Sequence, residues 1–213
     1  RFNMIEQQIR PWEVLDPQVL ELLSVVRREE FVPMAHKALA FVDMEIPLGA
    51  AANQVMLAPR VQARLLQDLA VKKTDKALDV GNGSGFMAAL LAHQAASVLS
   101  LEIDANLAAQ AQANLQKKGV TNAVVRTADG SQGAAEDGPF DVIVLSGSVA
   151  EVPAALLQQL AVGGRLIAIV GEEPMMRTTL ITRTSDSDWT TTEPWDCNAP
   201  RMSGFPEHSR VQF

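Results

Sequence analysis

The chain has 213 residues, 47% of them hydrophobic and 20% charged, with a formal charge of -7; that is long enough for one large core and short for two. The acidic balance excludes an electrostatic grip on nucleic acid, which needs a dense surface of lysine and arginine to release counterions. No apolar run approaches the roughly twenty residues of a membrane span, the stretch RFNMIEQQIRPW lacks the apolar core of a signal peptide, and the lone Cys197 cannot close an internal disulfide, so a cytoplasmic protein with no membrane partner is expected.

The first third reads as helices outside any strand repeat. In DPQVLELLSVV (16–26) an aspartate N-cap and a proline at the first helical position precede apolar residues at helical spacing. PRVQARLLQDLAV (59–71) is a second helix, with Pro59 at its start and Val61, Leu65, Leu66 and Leu69 on one face. Before it lies GAAANQVMLAPRV (49–61), whose only polar side chains ahead of Arg60 are Asn53 and Gln54. It is expected as a loop running into a helix N-terminus.

From Lys76 the rhythm changes. Strands are expected at KALDVG (76–81), SVLSLEI (97–103), AVVRTA (123–128), FDVIVLS (140–146) and RLIAIVG (165–171). Helices fall between them at GFMAALLAHQ (85–94), NLAAQAQANLQKKG (106–119) and VPAALLQQLAVGG (152–164). Strands apolar on both faces and separated by helices belong to a parallel sheet covered on both sides, so the fold class is α/β, doubly wound. DGSQGAAEDGP (129–139) reads as loop, and the threonine-rich TTLITRT (178–184) and WTTTEPW (189–195) as strands closing the sheet as an antiparallel pair. One domain is expected, divided into helices and loop at 1–75, a ligand-binding core at 76–183, and a strand and arm at 184–213.

In ALDVGNGSGF a buried strand ends in a turn with Gly81, Gly83 and Gly85, and a helix follows at once. Backbone without Cβ atoms lets a ligand approach, and the helix offers free NH groups and a positive dipole end. The spacing GxGxG departs from the dinucleotide pattern GxGxxG, which weakens a pyrophosphate reading. About twenty residues on, LEID puts Glu102 where an acid takes ribose hydroxyls. Ser146 stands at the end of the fourth strand, where ligands gather in such sheets. His36, His93 and His208 lack ligand spacing, so no metal site is expected. Cys197 has no histidine near it in sequence and reads as a packed bystander, and Trp12, Trp189 and Trp195 as core or rim packing.

LDVGNGSGF, LEID, TADGS and FDVIVL together resemble the class I methyltransferases, which bind S-adenosylmethionine and release S-adenosylhomocysteine. The resemblance implies cofactor contacts at Gly81, Asn82, Gly83, Ser84 and Gly85, at Glu102 with Ile103, and at Asp129 with Gly130. It also implies a mostly parallel seven-stranded sheet. A closer resemblance, carried by MIEQQIRP, VRREEFVP, ALAFVDMEIPLG, GNGSGFMAALLA and FDVIVLSGSVAEVPAALLQQLAVGGRL, is to the protein-L-isoaspartate O-methyltransferases. It runs to about Gly171 and implies carboxyl methylation of peptides or proteins bearing isoaspartyl residues, a repair reaction.

One departure stands out. The TISQP segment of that family, aligned on its proline, falls on Val55, Met56, Leu57, Ala58 and Pro59, so both hydroxyls are absent and the family's active-site serine position is Leu57. No catalytic residue is carried over; the substrate loop is represented by Gln54, Val55 and Leu57. Chemistry tolerates this. A methyl on a positively charged sulfur needs no acid to leave, and a carboxylate with a pKa of about 4 needs no base, which leaves positioning and exclusion of water. The alternatives are a diverged methyltransferase with another substrate, or a cofactor-binding protein with little catalysis.

Overall fold

The computed structural model describes residues 1–81 and 83–208. Its centre is a seven-stranded sheet of order β5-β4-β3-β6-β7-β8-β9. The strands are β3 (Lys76–Val80), β4 (Ser97–Glu102), β5 (Ala123–Thr127), β6 (Phe140–Val149), β7 (Leu160–Glu172), β8 (Met175–Arg183) and β9 (Trp189–Asp196). β3 to β7 run parallel, β8 is antiparallel to β7, and β9 is antiparallel to β8. This is the expected five-plus-two arrangement. The reversal of strand order falls between β4 and β6, on either side of β3, so the C-terminal end of β3 opens into the crevice where such sheets hold ligands.

Helices cover both faces. The N-terminal helix α1 (Phe2–Met4) runs on through a π turn at Ile5–Ile9 and a 3-10 turn at Arg10–Trp12. Next come α2 (Pro17–Val25), α3 (Pro59–Leu69), α4 (Phe86–Gln94), α5 (Ala105–Lys117) and α6 (Ala154–Gln158). The starts follow the capping signals in the sequence. Asp16 accepts from the Gln18 amide and Asp104 from the Leu107 amide, both at 2.9 Å, and Pro17 and Pro59 occupy first-turn positions whose missing N–H costs nothing. Seven of the nine residues of α4 are buried, so this helix is apolar all round and sits between the sheet and the N-terminal helices rather than at the surface.

Two expectations are corrected. The helix expected over 152–164 stops at Gln158, and the following residues open β7. Leu160 is fully buried and pairs with Phe140, the Phe140 amide donates to Gln159 O at 2.8 Å, and Gly163 has φ +84, which no helix accommodates. Burial against the sheet overrides the helical spacing of leucines. Similarly, 49–58 is only partly loop. Val55–Met56 forms β2, antiparallel to β1 (Ile46–Pro47), which makes a short ribbon. The stretch 129–139 holds two 3-10 turns, Gly130–Gln132 and Ala135–Asp137, and no longer helix.

Candidate functional site

The turn after β3 is left-handed at each glycine, with φ +83 at Gly81, +60 at Gly83 and +89 at Gly85, which is where glycine alone is unstrained. Glu102, 7% exposed at the end of β4, fastens this turn to its neighbour: its Oε1 accepts from the Gly83 amide (3.1 Å) and its Oε2 from the Asp104 amide (3.0 Å). A carboxylate has about four lone-pair sites, so two remain for a ligand. Beneath the turn, Asp79 is wholly buried; Ser100 Oγ donates to its Oδ2 at 2.7 Å and Ser146 Oγ to its Oδ1 at 3.4 Å. Burial pushes the Asp79 carboxyl up to about 6; the Ser100 bond opposes this, the Glu102 charge adds to it, and the Ser146 bond opposes it weakly.

Gly81, Gly83, Glu102 and Ser146 open onto one cleft with about 690 Å³ free of protein atoms, its open mouth included. Of the residues singled out in the sequence, Gln54, Val55, Leu57, Gly81, Gly83, Glu102, Ile103, Gly130 and Ser146 line it together. Ser84 and Gly85 are buried behind the turn, where Ser84 O accepts from Asn114 Nδ2 at 3.0 Å. Asp129 is exposed and outside the cleft lining, capping the 3-10 turn by accepting from the Ser131 amide at 3.0 Å. Asn82 lies outside the described residues.

The opposite wall is the β1–β2 ribbon and the start of α3. Leu57 is 3% exposed and lines the cleft. Gln54 does not reach freely into the space. Its Oε1 accepts from the Ala51 amide and its Nε2 donates to Asp104 Oδ2, each at 3.1 Å, so it ties the loop to the N-cap of α5. Behind Leu57 lies a residue that sequence reading missed. Arg28, 1% exposed, donates from Nε to Ala40 O (2.9 Å), from Nη1 to Gln62 Oε1 (2.5 Å) and from Nη2 to Leu57 O (3.0 Å). Its guanidinium also lies 5.3 Å from the ring centroid of Phe86, the first residue of α4.

The cleft is roofed by the C-terminal strap, for which the sequence held no signal beyond its mismatch with the family. Pro200 O accepts from the Ser148 amide and the Met202 amide donates to Ser148 O, both at 2.8 Å, so the strap pairs with the end of β6. Asn53 Nδ2 donates to Arg201 O (3.2 Å) and Ser203 Oγ (2.7 Å), joining the strap to the loop. The Met202 side chain lies directly on the glycine turn: a Cβ placed on Gly81 would come within 2.8 Å of Met202 Cε. Further along, a Cβ on Gly204 would come within 2.9 Å of Asp129 Oδ1.

Other candidates stay out of the chemistry. Cys197 packs against the core, and burial pushes its thiol up to about 11, so it is not a ready nucleophile. Trp12 and Trp195 form an edge-to-face pair at 5.9 Å, with Arg60 over one ring and Arg64 over the other. Trp189 packs against the core, under Arg183. Among the described residues no group of three or more histidine, cysteine, aspartate or glutamate side chains is arranged to hold a metal ion, and no helix is long and apolar enough to cross a membrane.

A doubly wound sheet of this strand order, with a glycine turn, an acid at the end of the next strand and an antiparallel closing pair, defines a methyltransferase-type α/β protein. The family model described as protein-L-isoaspartate(D-aspartate) O-methyltransferase matches residues 2–197. The chain is 42% identical over 190 residues to protein-L-isoaspartate O-methyltransferase 2 of Marinobacter nauticus, covering 89% of this chain and 86% of that one. It is 39% identical over 211 residues to the protein-L-isoaspartate O-methyltransferase of Koribacter versatilis, covering 98% and 93%. The chain belongs to the protein-L-isoaspartate(D-aspartate) O-methyltransferase family. The fold matches a crystal structure of a putative protein-L-isoaspartate O-methyltransferase from Plasmodium falciparum in complex with S-adenosyl-L-homocysteine. The TM-score is 0.80 at 20% identity, over 93% of this chain and 96% of that one.

Proposed function

We propose that this chain is an S-adenosylmethionine-dependent carboxyl methyltransferase acting on isoaspartyl residues of peptides or proteins, a cytoplasmic repair enzyme. The observation that carries this reading is the convergence, in a chain of this family, of the glycine turn, Glu102 and an uncharged loop on one cleft. The donor set suits the cofactor. Glu102 has lone pairs left for a ribose, Ile103 and Leu107 offer apolar walls for a base, and Gly130 lines the same cleft with Asp129 next to it in the chain as the acceptor for an exocyclic amine. Bound there, the cofactor supplies a methyl group activated by its positively charged sulfur.

The protein's share is positioning. Gly81 and Gly83 allow close backbone approach, and Ser146, oriented by Asp79, presents its hydroxyl to the cleft. Val55 and Leu57 form an apolar wall on the acceptor side, beside Asn53 and Gln54. No side chain of that wall takes or gives a proton, which suits an acceptor already ionised at neutral pH. The strap yields as the cofactor enters, because Met202 rests on Gly81. Cofactor affinity by calorimetry and transfer of a labelled methyl to isoaspartyl peptides test the reading together. Binding with transfer is expected; tight binding with no transfer to any of a panel of carboxyl compounds contradicts it. A second reading, a changed acceptor, is favoured by the VMLAP wall itself: apolar side chains in place of hydroxyl donors suit apolar groups flanking the acceptor.

A further inference from the structure

We propose that Arg28 is the positioning residue of the acceptor side, supplying from behind the loop the fixed geometry and positive charge that the loop's own side chains lack. The inference rests on the carboxylate-acceptor reading and deepens it. Arg28 holds three carbonyl-type oxygens on three segments: Ala40 O ahead of the ribbon, Leu57 O in the cleft wall and Gln62 Oε1 on α3. It also faces Phe86, five residues beyond Gly81 on the helix that follows the glycine turn. One buried group thus sets the separation between the wall that receives the acceptor and the turn that receives the cofactor. In-line transfer is sensitive to that separation, since a displacement of roughly 1 Å costs about a hundredfold in rate.

The charge matters as much as the geometry. Buried cations are normally paired with a carboxylate, yet among the described residues no carboxylate oxygen lies within 4.0 Å of Arg28. Burial alone draws its guanidinium down to about 9, with no acid offsetting the effect. Arg201, which lines the cleft, is paired with Glu207 at 2.7 Å. Of the nearby acids, Glu102 fastens the glycine turn and Asp104 reaches the acceptor loop through Gln54, and neither contacts Arg28. Arg28 thus places a positive charge beneath Leu57. A positive charge one peptide group behind a dry wall is weakly screened and favours an anionic acceptor over its neutral methyl ester. The ester formed by transfer is thus held less tightly than the carboxylate.

The test compares binding of an isoaspartyl peptide and of its methyl ester in the presence of S-adenosylhomocysteine, for the unmodified chain, Arg28→Lys and Arg28→Met. The unmodified chain is expected to prefer the carboxylate at least tenfold, Arg28→Lys to keep most of that preference with turnover reduced about tenfold, and Arg28→Met to lose it. S-adenosylhomocysteine affinity should change less than threefold in Arg28→Lys. A merely structural arginine would weaken both peptides in parallel and leave their ratio unchanged, which overturns the proposal, as does an unmodified chain with no carboxylate preference. Should Arg28→Met fold poorly, Gln62→Leu removes one partner and keeps the charge; retained carboxylate preference with lowered turnover is expected, and loss of the preference contradicts the proposal. Because binding is read separately from transfer, a chain that binds the carboxylate selectively but transfers no methyl defeats the repair function and leaves this inference standing.

Discussion

The two walls of the cleft are built by different means. On the cofactor side polar groups face the ligand space directly, with a glycine turn, an acid fastened to two backbone amides and a serine held by a buried aspartate. On the acceptor side the apolar Val55 and Leu57 stand beside Asn53 and Gln54, whose amides are engaged by the strap and by Asp104, and Arg28 holds Leu57 O from one layer back. The difference teaches that loss of loop hydroxyls removes donors without removing order. Backbone held by a buried guanidinium is as fixed as a side chain held by its own hydrogen bonds.

The sharpest way to break this contrast is at Glu102. Glu102→Ala removes the lone pairs left for a ribose and frees the Gly83 and Asp104 amides. With about 1.5–3 kcal/mol per charged hydrogen bond, cofactor affinity measured by calorimetry should fall about a hundredfold. An unchanged affinity would remove the turn from the cofactor site.

Asp79 separates the walls by pH. Its folded pKa of about 6 stands above the ordinary 3.8, so the folded state holds the proton more tightly than the unfolded one. The stability this group contributes is complete below about pH 3.8 and is lost as pH rises through about 6, an effect of about 3 kcal/mol. Denaturant unfolding from pH 3 to 7 should show the unmodified chain losing that much relative to Asp79→Asn. A pH-independent difference between the two would mean that Asp79 does not titrate inside.

Restoring hydroxyls sharpens the comparison from the other side. Leu57→Ser with Val55→Thr should raise turnover on an isoaspartyl peptide about tenfold, equal to about 1.4 kcal/mol of barrier, with cofactor affinity unchanged. The cost is stability, since Leu57 is buried; a loss of about 2–3 kcal/mol is expected on unfolding. No gain in turnover would mean that the Arg28-held backbone already does the orienting. The smallest effect is expected at the strap, where Met202→Ala should speed cofactor association about threefold in stopped flow, and a slower association would make Met202 part of the binding wall instead.

Much of the cofactor side was legible in the sequence, because it is built from neighbours in the chain. Strand, glycine turn and helix are continuous, and Glu102 follows at the end of the next strand. The acceptor side was legible only as an absence. Arg28 sits in RREEF, indistinguishable by sequence from the exposed Arg27 and half-buried Glu29 beside it; only the fold places it under Leu57, 29 residues away. The strap reaches the cleft through pairing with Ser148 and Asn53, 148 residues distant in one bond, which no local pattern encodes. The start of β7 was misread for the same reason, as burial of Leu160 against Phe140 outweighs helical spacing.

The most direct measurement is incorporation of label from S-adenosylmethionine into an isoaspartyl peptide and its normal aspartyl twin, side by side. A dry wall backed by a buried cation should receive the isoaspartyl carboxylate and give a base-labile methyl ester on that peptide alone. Methylation of neither peptide by a chain that binds the cofactor would contradict the carboxyl methyltransferase reading.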